Sequence, residues 1–231
     1  QNNLPVDPSL INKLTEIAEN LAIKNKVSEN EAKYADFEVT AEKGVAVKFY
    51  QKDKLVSEFI IGKEDWQQGG TYLKKEKDKT VYLTNESIRY IFSQPDWRDL
   101  NLTKVLKDDI SSINITGIAG NVVALEKKDN KWQINQQDLE QAKQDKLNSF
   151  LDEILVLKAA DLKLLTEVKI NTEAKYQITV KHKNGEESFE IFESAEDKEN
   201  YFVKKENQAE VVYLISKTKV EELEKKVKEM K

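Results

Sequence analysis

The sequence predicts an α+β protein built as an internal duplication: two similar units in tandem, each a mainly antiparallel sheet with helices packed on one face. Three observations carry this. Val81-Tyr82-Leu83-Thr84 matches Val212-Tyr213-Leu214-Ile215 at an offset of 131 residues, and Tyr72-Leu73-Lys74-Lys75 matches Phe202-Val203-Lys204-Lys205 at 130. The apolar stripe of the first helix (Leu14, Ile17, Leu21) matches that of a later one (Leu147, Phe150, Ile154) at 133. Between these anchors, short alternating strands and turn residues recur in the same order, which suits sheets wound from hairpins.

The first unit opens on a helix. Asp7 is placed to cap it and Pro8 takes the first helical position, where its missing N–H costs nothing. Ile11, Leu14, Ile17, Ala18 and Leu21 then form one apolar face. A short second helix is expected from Ser28, with Glu31 completing a capping box. Strands follow at Val45–Phe49, Leu55–Ile61, Thr71–Lys75 and Thr80–Thr84. A helix at about Glu86–Phe92 closes the unit, and Gln94-Pro95 ends it because the residue before proline is pushed out of the helical region.

The second unit begins with strands at Ile110–Thr116 and Val122–Lys127, with Gly117 and Gly120 in the turn between them. Lys131-Trp132-Gln133-Ile134 extends that edge. A helix capped at Asp138, with Gln141 three residues on, carries Leu147, Phe150, Leu151, Ile154 and Leu155. Four strands are expected at Tyr176–Lys181, Glu187–Phe192, Tyr201–Lys204 and Glu210–Ile215, the first two joined through Asn184-Gly185. A final helix starts at a Thr218/Glu221 capping box. The units divide at about residues 1–103 and 104–231. The first lacks the hairpin and Trp132 segment that precede the helix in the second, so its counterpart is expected upstream of Gln1.

Composition narrows the function classes. Of 231 residues, 39% are apolar, which supports a core, and 34% are charged. The net charge is −5 with the signs interspersed, as in Lys74-Lys75-Glu76-Lys77-Asp78-Lys79. A nucleic-acid binder should show a basic stripe, and none is present. With no cysteine, disulfides, thiolate zinc sites and cysteine nucleophiles are excluded. No run reaches the ~18 apolar residues of a membrane span.

Few residues suggest chemistry. His182 is the single histidine and has no partner His or Cys for a metal site, so a structural role is expected. The pairs Glu64-Asp65, Asp108-Asp109 and Glu186-Glu187 are read as solvated surface. No phosphate-binding glycine loop, serine elbow or zincin pattern occurs. No catalytic residue, metal or cofactor is therefore assigned. The candidate interaction surface is Trp66, Gly69, Gly70, Trp97 and Arg98. Trp66 beside Gly69-Gly70 is either an exposed contact on a loop or an indole folded over the sheet edge; turn chemistry favours the second. In Asp96-Trp97-Arg98-Asp99 the favoured arrangement is a packed Trp97 and an Arg98 paired with a nearby carboxylate. The other is an arginine that grips a ligand.

Several stretches together resemble the bacterial domain-of-unknown-function family numbered 4340. They are Lys33-Tyr34-Ala35 leading into Val45-Ala46-Val47-Lys48-Phe49, then Ile60-Ile61-Gly62, Gly70-Thr71-Tyr72-Leu73 and Val81-Tyr82-Leu83. Trp97-Arg98-Asp99-Leu100, Asp108-Asp109-Ile110 and Lys131-Trp132-Gln133-Ile134 continue the likeness. Ala35 departs from it where glycine is expected. The resemblance implies an extracytoplasmic module held to the cytoplasmic membrane by an N-terminal anchor, working with ABC-transporter components of the gliding-motility type. It supplies no catalytic residues. The expected function is a non-catalytic interaction or scaffold module with a protein partner. The alternative is a small-ligand or glycan binding protein using the cleft between the units around Trp97 and Arg98.

Overall fold

The computed structural model describes residues 4–118, 121–170, 173–194 and 196–230; Gly120 lies outside them. The chain forms two compact units. One is Val6–Trp97; the other runs from Arg98 onward and takes in Leu4 and Pro5.

The first unit holds α1 (Pro8–Asn20), β1 (Ile23–Ser28), β2 (Val45–Gln51), β3 (Lys54–Glu64), β4 (Thr71–Lys75), β5 (Val81–Thr84) and α2 (Arg89–Phe92). Asp7 caps α1 by accepting from the Ser9 N–H. The five strands are antiparallel in the order β1-β5-β4-β3-β2. Ile17 of α1 and Ile88 and Ile91 around α2 pack on Ile61 and Leu73 of the sheet. The opposite face (Ile60, Tyr72, Val81, Leu83) is covered by Tyr34, Phe37 and Val39 from the β1–β2 connection. That cover replaces the helix expected at Ser28. Ser28 ends β1, and Asn30 instead caps a single 3-10 turn at Glu31–Lys33.

The second unit holds β6 (Ile110–Ile118), β7 (Asn121–Lys128), β8 (Lys131–Ile134), β9 (Gln137–Asp138), α3 (Gln141–Leu155), β10 (Asp161–Leu164), β11 (Tyr176–His182), β12 (Gly185–Glu193), β13 (Asn200–Lys205), β14 (Val211–Ser216) and α4 (Lys217–Met230). Its nine strands are antiparallel in the order β10-β14-β13-β12-β11-β6-β7-β8-β9. Leu147, Phe150 and Leu151 of α3 and Val220 and Val227 of α4 cover one face. Leu165, Val168 and Ile170 cover Phe192, Phe202, Val212 and Leu214 on the other. Asp138 does not cap α3; it lies in β9 and accepts from the Gln133 amide. The helix begins after Glu140, which makes no side-chain cap. Likewise α4 starts at Lys217, so Thr218 falls inside its first turn.

Remove β6–β9 and the two units have one topology: β1-β5-β4-β3-β2 against β10-β14-β13-β12-β11, with a helix before the first strand and another after the last. The register agrees too. Ile61 pairs with Leu73 and Leu73 with Tyr82, as Ile191 pairs with Val203 and Val203 with Tyr213. The irregularity between Phe49 and Tyr50 puts one extra residue into β3, a β-bulge. The matching β11–β12 ladder has none there, so the offset falls from 131 to 130 beyond it.

Candidate interaction site

The β3–β4 turn is built around Asp65. Its Oδ1 accepts from the Gln67 and Gln68 N–H groups at 3.0 Å, and its Oδ2 from the Tyr72 hydroxyl at 2.6 Å. The backbone closes the turn with Asp65 N–H to Gly70 C=O and Gly69 N–H to Asp65 C=O. The Tyr72 bond, followed by those from Gln68 and Gln67, holds the Asp65 carboxyl below its ordinary value. Burial, then the Asp65 carboxylate, pushes the Tyr72 hydroxyl up to about 12. Both glycines are needed in different degrees. Gly70 has φ 120° and a Cβ there would sit 2.1 Å from the Thr84 carbonyl oxygen; Gly69 has φ 69° and open space around it.

This turn carries Trp66 at its tip, 84% exposed. The indole does not fold over the sheet edge. Asp65 pins the backbone on either side of Trp66, so the side chain projects from a fixed turn. The matching turn of the second unit is held in a similar way. Asp197 accepts from Glu199 and Asn200, and the Ser194 hydroxyl accepts from Asp197. It presents no aromatic residue.

The other candidates are not displayed like this. Trp97 packs against the helix-side core of the first unit. Arg98 donates to Asp161 at 2.6 Å and to the Leu162 carbonyl at 2.9 Å within the second unit. Burial opposes ionisation of Asp161, but the Arg98 guanidinium and the Leu162 N–H together keep the carboxyl below its usual range. His182 ends β11, where its Nδ1 accepts weakly from the Asn184 N–H at 3.4 Å. Among the described residues no three His, Cys, Asp or Glu side chains gather into a metal site.

Two features were not foreseen from sequence. Buried Asp99 accepts from Asn101 at 2.8 Å and Lys104 at 2.6 Å. Lys205 donates to the Asn101 carbonyl and sits 4.4 Å from the centre of the Tyr213 ring. Burial alone would raise Asp99, yet the Lys104 and Asn101 bonds leave it lowered, while burial lowers Lys205. These groups satisfy one another and tie the residues after Arg98 to β13 and β14. The second is an apolar cavity of about 80 Å³ between the sheet and α3 and α4, lined by Ile113, Phe150, Val203, Ile215 and Val227. At its margin the Tyr176 hydroxyl donates to Glu224.

The family profile described as "Domain of unknown function (DUF4340)" matches residues 1–177. The chain belongs to this family. The DUF4340 match takes in the whole first unit, Trp66 turn included, and runs through β6–β9 and α3 into β11. Neither a curated protein nor a solved structure matches the chain. No helix among the described residues of this DUF4340 chain is long and apolar enough to cross a membrane.

Proposed function

We propose that this chain is a non-catalytic interaction or scaffold module of a membrane-anchored bacterial protein. It works outside the cytoplasm and binds a protein of an ABC-transporter-type complex. The observation that carries the reading is Trp66, an almost fully exposed indole on a turn fixed by Asp65. Exposed tryptophan on a rigid backbone suits an interface anchor: it brings a large apolar area and loses little conformational freedom on binding. The interspersed charge and net −5 support a protein partner over nucleic acid. The membrane and transporter setting is part of the proposal and follows what the family resemblance implies.

The test is affinity capture from native membranes with the wild-type chain and with Trp66→Ala. Transporter or envelope proteins are expected with the wild type. Recovery should fall about tenfold or more for Trp66→Ala, the loss usual for an anchoring tryptophan, at unchanged thermal stability. Capture that returns no transporter or envelope protein overturns the reading.

A further inference from the structure

The core of the second unit keeps a void. Helices α3 and α4 lie on one face of the nine-stranded sheet and leave about 80 Å³ between themselves and the strands. Native cores pack with few spaces larger than a water molecule, and filling such a space adds stability. The lining is hydrocarbon almost throughout: Ile113, Phe150, Val180, Val203, Ile215 and Val227 are each at most 5% exposed. A space of this kind stays dry, because a buried water needs several polar partners and these side chains offer none.

The strands beneath the void are all interior to the sheet. β6, β11, β12, β13 and β14 each pair on both sides, so the void meets no open sheet edge. A peptide would bring N–H and C=O groups that this lining cannot satisfy. A hydrocarbon chain brings none. Size narrows the choice further. An apolar cavity of about 150 Å³ accepts benzene; at about half that volume, this one suits something thinner than a ring.

The lining reaches the surface beside Tyr176, where Ile178, Leu223 and Glu224 are half-buried. There the Tyr176 hydroxyl donates to Glu224 Oε2 at 3.0 Å, and Lys228 pairs with Glu224 Oε1 at 2.6 Å. The carboxylate has lone pairs left for one more donor. Thr103, the other polar residue of the lining, already accepts from the Val105 N–H. The two helices are joined by ion pairs: Glu153 of α3 bonds Lys219 at 3.2 Å and also Lys226 of α4. Leu223 lies between these lysines on one face of α4. All three charged groups are about one-third exposed, and surface pairs cost little to break. The α3–α4 seam can therefore part while the sheet beneath stays whole.

We propose that this cavity is a binding site for an unbranched alkyl chain, the tail of a single-chain amphiphile that enters beside Tyr176 and leaves its hydroxyl or ammonium head at Glu224. The site lies wholly within the second unit. It goes beyond the interaction-module reading and makes no use of Trp66.

The probes are 1-butanol, 1-hexanol and 1-octanol, added to the full chain and followed by methyl NMR. Shifts at Ile113, Ile115 and Ile215 should saturate as for one site. Affinity should rise about fourfold for each added methylene and level off once the chain fills the cavity. Val227→Phe fills the space from α4 and should abolish these shifts. Val203→Ile fills it by one methylene from β13 and should weaken binding at least fivefold without loss of thermal stability, so the test survives if the larger substitution misfolds. Shifts that never saturate, or alcohol binding unchanged in Val203→Ile, overturn the site. Benzene that binds the wild type as tightly as 1-hexanol overturns the alkyl-chain assignment. Sedimentation with phosphatidylcholine vesicles separates two sources of the chain: a bilayer lipid carries the wild type down and spares Val227→Phe, whereas a free amphiphile leaves both in solution. Membrane capture that fails would remove the interaction reading and leave this site standing.

Discussion

Replacing Gly70 by alanine should cost the first unit far more than the same change one residue earlier. At Gly70 φ is 120°, a region closed to residues with a Cβ, and the added carbon would lie 2.1 Å from the Thr84 carbonyl oxygen. That oxygen belongs to β5, so the clash cannot be relieved by rotating a side chain. Backbone strain of about 1–3 kcal/mol adds to a similar cost for displacing packed backbone, giving about 2–6 kcal/mol. At Gly69 φ is 69° and no atom lies within 4 Å, so only the left-handed penalty of about 1 kcal/mol applies. Urea unfolding followed by hydrogen exchange reads each unit through its own peptides. Gly70→Ala should lower the stability of Val6–Trp97 by several times the loss in Gly69→Ala and leave Arg98 onward unchanged. Equal effects of the two substitutions would refute the reasoning and remove the basis for a rigid Trp66 turn.

Gln144→Ala should destabilise the second unit by about 2–4 kcal/mol, because it leaves the buried N–H and C=O of Trp132 unpaired. Gln144→Met, which keeps the volume, should be nearly as damaging in a urea titration; a neutral Met variant would show that packing alone seats β8. Tyr72, Tyr176 and Tyr213 are pushed up to about 12, chiefly by burial. Their stabilisation is complete below the unfolded value near 10 and fades as pH rises through about 12. Unfolding free energies from urea titrations should therefore fall as pH rises from about 9.5 to about 11.5, with Tyr213, the most buried of the three hydroxyls, contributing most. Tyr72→Phe should flatten that slope for the first unit only; a slope unchanged by the substitution would contradict the assignment.

What the sequence revealed followed the physics of half-buried elements. Strands β2 to β5 and β11 to β14 alternate apolar and polar residues or run apolar, and α1 and α3 carry clear stripes, so each was legible. β1 was not: Ile23–Ser28 is an edge strand exposed along nearly its whole length, with two lysines and an asparagine, and leaves no alternation to read. β10 is a four-residue edge strand with an acidic start. Tyr34, Phe37 and Val39 cover the back of the sheet from irregular chain, which no periodicity announces. At the site, Arg98 pairs with Asp161 across 63 positions of sequence, a partner no local pattern could name. Trp66 was misplaced because glycine turns say where a chain bends and not which side chain the bend throws outward. Asp65, two oxygens holding four donors, decides that.

The account stands on two copies of one topology; among the described residues β2 ends the sheet of the first, while its counterpart β11 lies between β6 and β12 in the second. The most direct measurement is hydrogen exchange of the free chain, comparing Ala46–Gln51 in β2 with Gln177–His182 in β11. For this chain the account predicts markedly faster exchange at alternate positions of β2, where amides face no strand of the described residues, and slow exchange along the whole of β11 between β6 and β12. Equal protection of the two strands would contradict it.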